Sequence, residues 1–346
     1  MDKQKRDAEI LHLYQQGWKK TDISRRLGVD RGVVTNVCLQ YDKQVKEGIQ
    51  TDDPQPETPD WQAALMEFLQ KNQSKLPPAF VEMITPAIPT VQASSPVVYS
   101  DTIYRRIAFI SDVHIPYEDK VAVRVTLDAV ADLKPDCIIL GGDIFDFYEV
   151  SDFDRDPGRR KSLQDEFDEG QFFLKSIASI TPNVVFMEGN HEQRLQRVIG
   201  RNPGLYKMRA LELPKAIGLP DGWKFYPSQT HFHVGRLNYL HGDVKGMSDR
   251  AMYPSVTVFK RLKTSSMFGH YHRFDKYYET QYDGTLRGGF ANGHLSDTRE
   301  AKYIVNPNWQ TGFSIVENLA SGHGFQVQQY LIVNGTTIVH GKDYSV

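Results

Sequence analysis

The feature that most constrains this chain is a series of five short motifs, each placed directly after a short apolar run. The motifs contain two aspartates, one asparagine and four histidines suited to metal binding, together with one further histidine. In chain order they are Asp112-x-His114, Gly142-Asp143, Gly189-Asn190-His191-Glu192, His241-Gly242 and Gly269-His270-x-His272. Two divalent ions need oxygen and imidazole ligands in about this number, with one carboxylate as a bridge. The pattern therefore predicts a site for two metal ions.

The apolar runs in front of the motifs predict buried strands. They cover residues 106–110, 137–140, 184–187, 237–240 and 266–268. Side chains at the C-terminal ends of strands in an α/β sheet converge on one crevice. The neighbouring glycines allow the backbone to turn tightly there. Segments that lie far apart in the sequence are therefore expected to meet at one site.

In this order, and with Asp143-x-x-Asp146, the motifs resemble the calcineurin-like metallophosphoesterase superfamily over roughly residues 104 to 316. The resemblance implies an α/β fold, a four-layer sandwich of two mixed sheets flanked by helices, with two divalent ions. Carried over by position, the ligands of the first ion are Asp112, His114, Asp143 and His272. Those of the second are Asn190, His241, His270 and the bridging Asp143. The resemblance also implies that His191 is the catalytic histidine and that Asp146 orients it.

The chemistry of the residues agrees with these roles. Two neighbouring ions can clamp a phosphate and acidify a bridging water, which gives a metal-bridged hydroxide as the nucleophile. The departing oxygen needs a proton, and an unligated imidazole such as His191 suits that task near neutral pH. A carboxylate on its other nitrogen, Asp146, would fix the ring. Mixed histidine and carboxylate ligands suit manganese first, with iron, zinc or nickel as alternatives.

Departures from the family pattern bear on the substrate. Protein phosphatases of this superfamily continue Gly-Asp-x-x-Asp with Arg-Gly, whose arginine grips the phosphate, whereas Phe147 and Tyr148 follow here. Arg194 and Arg197 either contact phosphate or lie on a solvated helix face, and the solvated face is the simpler interpretation. The basic residues 159–161 are predicted to lie on an exposed loop. The alternative is that they line a groove that binds nucleic acid.

Residues 1–50 predict a second, small all-α domain. Apolar residues spaced along Asp7 to Gln15 predict a first helix. Thr21 and Asp22 are expected to cap a second helix, Gly28 to allow a turn, and Asp30 to cap a third helix. A short helix, a glycine turn and a further helix are typical of the helix-turn-helix. The run from Thr21 to Val37 resembles small DNA-binding domains of regulators and transposases.

That second resemblance implies a set of DNA contacts. The residues expected to face a groove are Arg31, Thr35 and Asn36. Those expected near phosphates are Arg25 and Arg26, with Lys19 and Lys20. Residues 1–50 hold ten Lys/Arg against seven Asp/Glu, a net charge of +3, which suits local docking on DNA better than strong nonspecific binding. The alternative is a three-helix bundle that contacts protein.

The remaining chain divides into a linker and the larger domain. Residues 51–100 hold eight of the eighteen prolines and predict a linker with a short helix from Asp60. Residues 101–346 are predicted to form the metallophosphoesterase domain, which is long enough for a large core. Apolar stretches around Phe313, Tyr330 and Thr337 predict closing strands of the second sheet.

Composition bears on the compartment. Cys38 and Cys137 are predicted to be buried, reduced thiols. The chain has no apolar run near the roughly 20 residues that span a bilayer, and its charged start does not resemble a signal peptide. We therefore expect no membrane partner and a cytoplasmic location, in the host if the chain is phage-encoded. Pro307-Asn308-Trp309 resembles a stretch of phage-encoded members of the superfamily. The sequence leaves the oligomeric state open.

The leading hypothesis is a DNA-directed nuclease or phosphodiesterase with a dinuclear metal site. One alternative is a phosphomonoesterase acting on proteins or small molecules. The other is a DNA-binding regulator that carries a phosphoesterase domain.

Overall fold

The chain forms two compact units, Met1–Thr90 and Val91–Val346. The computed structural model describes residues 3–15, 18–46, 96–152, 158–159, 161–202, 204–205, 208–248, 251–300 and 307–346. The short helix predicted from Asp60, and most of the predicted linker, lie outside the described residues.

In the N-terminal unit, the described residues form three helices, α1 (Lys3–Gln15), α2 (Lys20–Leu27) and α3 (Arg31–Lys46). Their apolar faces meet in one small core, made of Ile10, Leu13, Ile23, Val34 and Cys38. Each helix contributes one or two buried side chains to this core. The described residues of this unit thus contain three helices, with a turn between α2 and α3.

The predicted glycine turn and the predicted cap of α3 are both present, whereas the predicted cap of α2 is not. Gly28 has a φ of 63°, in the left-handed region that glycine adopts readily. Asp30 Oδ1 accepts the backbone N–H of Gly32 at 2.8 Å, so Asp30 caps α3 as predicted. The predicted cap of α2 is wrong: Thr21 and Asp22 lie inside that helix, and Lys19 precedes it without a side-chain cap.

The second unit is built on strands. Those in its described residues are β1 (Val97–Tyr99), β2 (Arg106–Ile110), β3 (Cys137–Leu140), β4 (Val184–Met187), β5 (Lys224–Tyr226), β6 (His231–Val234), β7 (Leu237–Leu240), β8 (Ser266–Phe268), β9 (Asp275–Thr280), β10 (Leu286–Ala291), β11 (Gly312–Asn318), β12 (Phe325–Leu331), β13 (Thr336–Val339) and β14 (Lys342–Ser345). The five apolar runs that precede the motifs are β2, β3, β4, β7 and β8, as predicted.

Besides a two-stranded sheet of β13 and β14, these described strands form two mixed sheets of six strands each. The first has the order β12-β11-β2-β3-β4-β5, in which β2 to β5 are parallel and β11 is antiparallel to β2. The second has the order β1-β6-β7-β8-β10-β9. In it, β7 and β8 are parallel, whereas β6 with β7 and β10 with β9 are antiparallel. Parallel neighbours bring the ends of β2, β3 and β4 to one edge, and β7 and β8 do the same in the second sheet.

Helices cover the outer faces of both sheets. They are α4 (Lys120–Leu133), α5 (Leu163–Ala178), α6 (Glu192–Arg201), α7 (Leu213–Ala216) and α8 (Pro254–Leu262). Along β2, Ala108 and Ile110 face the core under α4 and α5, while Ile107 and Phe109 face the core between the sheets. Val258 of α8 packs on the far side of the second sheet. The layers are helix, sheet, sheet and helix, as predicted.

β1 pairs with β6, so Val97 opens the second sheet. The predicted place of the closing strands is wrong. β13, which holds Thr337, pairs with β14 in the small separate sheet, and β11 and β12 belong to the first sheet. The reason is burial on both faces: Phe313 and Ile315 enter the core under the helices and Val316 enters the core between the sheets. Such a strand fits beside β2, which is covered on both sides.

The two cysteines are free and buried, as predicted. Burial raises the pKa of Cys137 to about 12, so its thiol stays protonated at physiological pH. Among the described helices, none combines the length and the hydrophobicity that crossing a bilayer requires.

Candidate metal centre

The five motifs meet at one edge of the sandwich, where strands of both sheets end. Asp112, Asp143 and Asn190 follow β2, β3 and β4 of the first sheet. His241 follows β7 and His270 follows β8 of the second sheet. The site is therefore built from the carboxyl ends of parallel strands in both sheets, as the sequence predicted.

Ligand-type atoms within this edge form three overlapping groups. In each group the atoms lie within 4.8 Å of one another. The groups are Asp112–His114–His272, His114–Asp143–His191 and Asp143–His241–His270. The Asn190 Oδ1 atom lies 3.0 Å from His241 Nε2 and 2.9 Å from His270 Nδ1. All seven predicted ligands are thus brought together, and Asp143 belongs to two of the groups.

The donor atoms fit divalent cations. Within the described residues, Asp112 Oδ2 is buried and meets no hydrogen-bond donor, although a buried carboxylate oxygen normally has a partner. His241 Nδ1 lies 2.9 Å from the carbonyl oxygen of Gly141, so the ring donates there and directs its Nε2 lone pair toward the site. The Nε2 atoms of His114 and His272 face each other at 3.0 Å. Converging lone pairs of this kind suit a bound cation.

The backbone at the site is unusual. Five of the candidate ligands have positive φ angles: Asp112 (57°), His114 (56°), Asp143 (52°), His270 (70°) and His272 (55°). Residues other than glycine seldom adopt this left-handed region because Cβ then crowds the backbone. Such residues concentrate at functional sites, where the surrounding structure holds them in place. The strained backbone supports the same site independently of the side-chain chemistry.

Two motif glycines are required by close approach to the ligand carboxylates. A Cβ atom on Gly189 would lie 2.2 Å from Asp143 Oδ1. One on Gly269 would lie 2.3 Å from Asp112 Oδ2. Any larger residue would displace a ligand, so the glycine beside each motif is part of the site as well as of the turn.

Glu192 is a structural element of the site that the sequence reasoning missed. Its buried carboxylate accepts backbone N–H groups from Asp143 (3.0 Å), Ile144 (2.7 Å), Phe145 (3.0 Å) and Gly189 (2.8 Å). Burial raises its pKa to about 7. These bonds join the loop after β3 to the loop after β4. The one sequence feature that could have pointed to Glu192 is its position as the last residue of the motif Gly-Asn-His-Glu.

Asp146 connects His191 with the ligand group. Its Oδ1 atom lies 2.9 Å from His191 Nδ1 and 3.0 Å from His114 Nδ1. Burial opposes ionisation of Asp146, but the hydrogen bonds from these two rings outweigh it and hold its pKa below the usual range. Burial lowers the pKa of His191, whose Nε2 lies 3.8 Å from Asp143 Oδ2.

Residues 105–313 match the calcineurin-like phosphoesterase family. The chain belongs to this family. It is accordingly a hydrolase that acts on phosphate esters, and its clustered Asp and His side chains fit the divalent metal site of the family.

The phosphoesterase has phage relatives. The Gene 54 proteins of Mycobacterium phages L5 and D29 are 23% and 24% identical to it over 263 residues. Each match spans 70% of this chain and 99% of the phage protein. Among solved structures, Vps29 of Chaetomium thermophilum is similar with a TM-score of 0.38 and 12% identity, over 69% of this chain and 98% of that chain.

Arg159 of the phosphoesterase corrects one prediction. The sequence favoured an exposed loop, but the Arg159 side chain is only 10% exposed. Its guanidinium lies between the rings of Tyr117 (4.3 Å) and Tyr148 (4.5 Å). It donates to Asp146 Oδ2 at 3.3 Å and to the carbonyl oxygen of Glu300 at 2.7 Å. Tertiary partners from three other segments therefore bury an arginine that its neighbours in sequence would leave in solvent.

Arg194 corrects a second prediction. A solvated helix face was the simpler interpretation, but this side chain on the first turn of α6 is 11% exposed. Its Nη1 donates to the backbone oxygen of Asp146 at 2.8 Å, and its Nη2 lies 3.0 Å from His191 Nε2. Arg197, one turn further along α6, is exposed as expected.

Two aromatic side chains support His272. His294 is fully buried and stacks on the His272 ring with centroids 5.2 Å apart. Trp309 meets the same ring edge-on at 4.3 Å. Neither contact could be predicted from the sequence, because both depend on how the chain after β10 returns to the site.

The predicted DNA-contact residues lie in the N-terminal unit. Arg25, Arg26, Arg31 and Asn36 are exposed on α2 and α3. Arg26 lies over the ring of Trp18 at 4.8 Å. Thr35 is half-buried, and its hydroxyl donates to the backbone oxygen of Arg31 at 2.8 Å. Four of the five are thus accessible to a ligand.

Proposed function

We propose that this phosphoesterase is a dinuclear-metal nuclease or phosphodiesterase that acts on DNA. The observation that carries the metal-dependent part is that Asp143 belongs to two overlapping ligand groups, one with His114 and His191 and the other with His241 and His270. A carboxylate shared between two groups is the arrangement that a pair of cations requires.

The proposal assigns each ligand to one of two ions. The first ion would be held by Asp112, His114, Asp143 and His272. The second would be held by Asn190, His241, His270 and Asp143. Manganese suits this set of oxygen and imidazole donors, as would iron, zinc or nickel. When bound, the cations would supply Lewis-acid polarisation of the phosphate and acidify a water molecule.

His191 is assigned the proton transfer to the leaving oxygen. Its Nδ1 faces Asp146, so Nε2 is the atom left to face the substrate. The charge of Asp146 favours the proton on the ring, and its position prevents the ring from turning. His191 also belongs to the ligand group of His114 and Asp143, so it could instead bind a metal ion. The metal content of a His191→Gln variant distinguishes these two roles.

Recognition of DNA is assigned to α2 and α3 as a helix-turn-helix. Support comes from the exposed Arg31 and Asn36 on α3 and the exposed Arg25 and Arg26 on α2. Arginine and asparagine can read base edges in the major groove, while arginines on the preceding helix suit phosphates. Docking by this unit would raise the local concentration of the catalytic unit on DNA.

The deciding experiment compares a phosphomonoester with a phosphodiester in the presence of manganese. The proposal expects hydrolysis of bis-p-nitrophenyl phosphate and of single- or double-stranded DNA, and loss of both in Asp143→Asn. Release of phosphate from p-nitrophenyl phosphate, with the diester untouched, would instead support a phosphomonoesterase. DNA binding without cleavage would support a regulator.

The DNA-binding part has its own test. Deletion of residues 1–50 should abolish DNA binding and retain hydrolysis of the simple diester. Arg31→Ala combined with Asn36→Ala should weaken duplex binding about tenfold or more, whereas Lys5→Ala, exposed on α1, should bind like the parent. Unchanged duplex affinity in the double variant would exclude α3 as the reading helix.

A further inference from the structure

We propose that Arg194 binds the phosphoryl group of the substrate, an inference that rests on the proposed function. Arg194, on the first turn of α6, is one of two largely buried arginine side chains described at the metal centre, and the other is Arg159.

The guanidinium of Arg194 is already fixed in position. Its Nη1 donates to the backbone oxygen of Asp146 at 2.8 Å, and the side chain is 11% exposed. Because the guanidinium is planar, this bond also sets the direction of Nη2. A donor that is held in place before the substrate arrives needs little reorganisation, which is the condition for strong stabilisation of developing charge.

The other end of the guanidinium lies where a substrate would bind. Nη2 is 3.0 Å from His191 Nε2, the atom assigned to proton transfer. A leaving oxygen needs the same position beside Nε2, so substrate binding displaces this contact. The Nη2 donor then lies next to the remaining oxygens of the same phosphoryl group, which are strong acceptors.

Arg159 is the second buried arginine of the site, but its contacts give it a different role. Its terminal nitrogens donate to Asp146 Oδ2 and to the carbonyl oxygen of Glu300, and two tyrosine rings enclose it, whereas Nη2 of Arg194 lies beside the proton-transfer atom of His191. It is a positioning residue for Asp146. The direct phosphate contact is therefore assigned to Arg194 alone.

The test compares Arg194→Gln and Arg194→Lys with Arg197→Gln, a matched control on the exposed face of the same helix. Two diesters are used with manganese: bis-p-nitrophenyl phosphate, whose leaving group departs without a proton, and a thymidine dinucleotide, whose leaving group needs one. Inorganic phosphate serves as a competitive inhibitor. Thermal unfolding establishes that each variant is folded.

We expect Arg194→Gln to lower kcat/KM by about 10²-fold on both diesters and to weaken inhibition by phosphate about tenfold. Arg194→Lys should recover part of the loss because it keeps the charge without the planar fork. Arg197→Gln should match the parent. A folded Arg194→Gln that also matches the parent overturns the inference.

A loss confined to the dinucleotide, with unchanged phosphate inhibition, would also overturn it, because Arg194 would then act only through His191. If the parent hydrolysed neither diester, the proposed function would fail. Phosphate binding to the manganese-loaded protein, measured by calorimetry, would still decide the role of Arg194: weaker binding by Arg194→Gln supports the contact, and equal binding overturns it.

Discussion

Glu192 Oε2 accepts the backbone N–H of Asp143 at 3.0 Å, so a buried carboxylate behind the site fixes the residue that two ligand groups share. The same oxygen accepts the N–H of Gly189, and Oε1 accepts those of Ile144 and Phe145. One side chain therefore sets the distance between the loops after β3 and β4.

Glu192→Gln should weaken metal binding and lower thermal stability. The amide NH₂ cannot accept a hydrogen bond, so it leaves one pair of backbone N–H groups facing another donor. Partners behind metal ligands typically contribute about 10- to 100-fold in affinity. Titration calorimetry with manganese measures the loss, and Glu212→Gln, at an exposed helix start, is the control. Parental affinity in Glu192→Gln would show that the ligands hold the loops without it.

His191→Gln should retain its metal and lose turnover. General acid–base groups contribute about 10²- to 10⁴-fold, and the deficit should be larger for a leaving group that needs a proton than for p-nitrophenolate. Metal content by elemental analysis and kcat on both kinds of diester check this. Loss of one ion per chain would instead identify His191 as a ligand. This alternative is specific because His191 Nε2 lies only 3.8 Å from Asp143 Oδ2, which is itself a candidate ligand atom.

Glu166 should make stability depend on pH. Its carboxyl is 2% exposed and accepts the N–H of Phe147 at 2.6 Å, and burial, with Asp146 and Glu192 nearby, raises its pKa well above the ordinary value of 4.5. Because the folded pKa is the higher one, this group's contribution is complete below 4.5 and is lost as pH rises above it. Glu166→Gln cannot ionise and should therefore become increasingly stable relative to the parent as pH rises above 4.5. If the Tm values of the two proteins changed with pH in parallel, Glu166 would not be the source of the pH dependence.

Removal of metal should weaken the packing of one sheet on the other. The candidate ligands come from both sheets, Asp143 after β3 and His241 after β7, and their side chains approach to 3.2 Å. A cation that binds the folded protein stabilises it by mass action, and chelation also leaves neighbouring carboxylates without a counter-charge. Calorimetry with and without a chelator should show a lower Tm that manganese restores. An unchanged Tm would mean that the ligands bind no ion with useful affinity.

Local sequence predicted the ends of five strands and the residues that follow them. This succeeded at β3, for example, because Cys137-Ile-Ile-Leu140 is a short, wholly apolar run typical of a covered strand, and Asp143 follows it after two glycines. The same reasoning found the turn at Gly28 and the cap at Asp30. In each case the physical cause lies within a few residues of its effect.

The wrong predictions for the two arginines at the site have a different cause. Arg194 and Arg197 have the same chemistry and lie on one helix, and only the tertiary position of Asp146 distinguishes them. Arg159 is buried by Tyr117, Tyr148 and Glu300, none of which adjoins it in sequence. Contacts between residues that lie far apart in the chain depend on how the helices and strands pack, so the local spacing of apolar and polar residues does not predict them.

The left-handed backbone at five candidate ligands also bears on how such a protein changes over generations. Each of these residues raises the energy of the folded chain by about 1 kcal/mol or more relative to a relaxed backbone, and glycine or asparagine would remove part of that strain. Substitution there would relieve backbone strain while discarding a ligand. In a lineage released from selection for hydrolysis, drift toward greater stability would therefore erase this site before it altered the sheets that carry it.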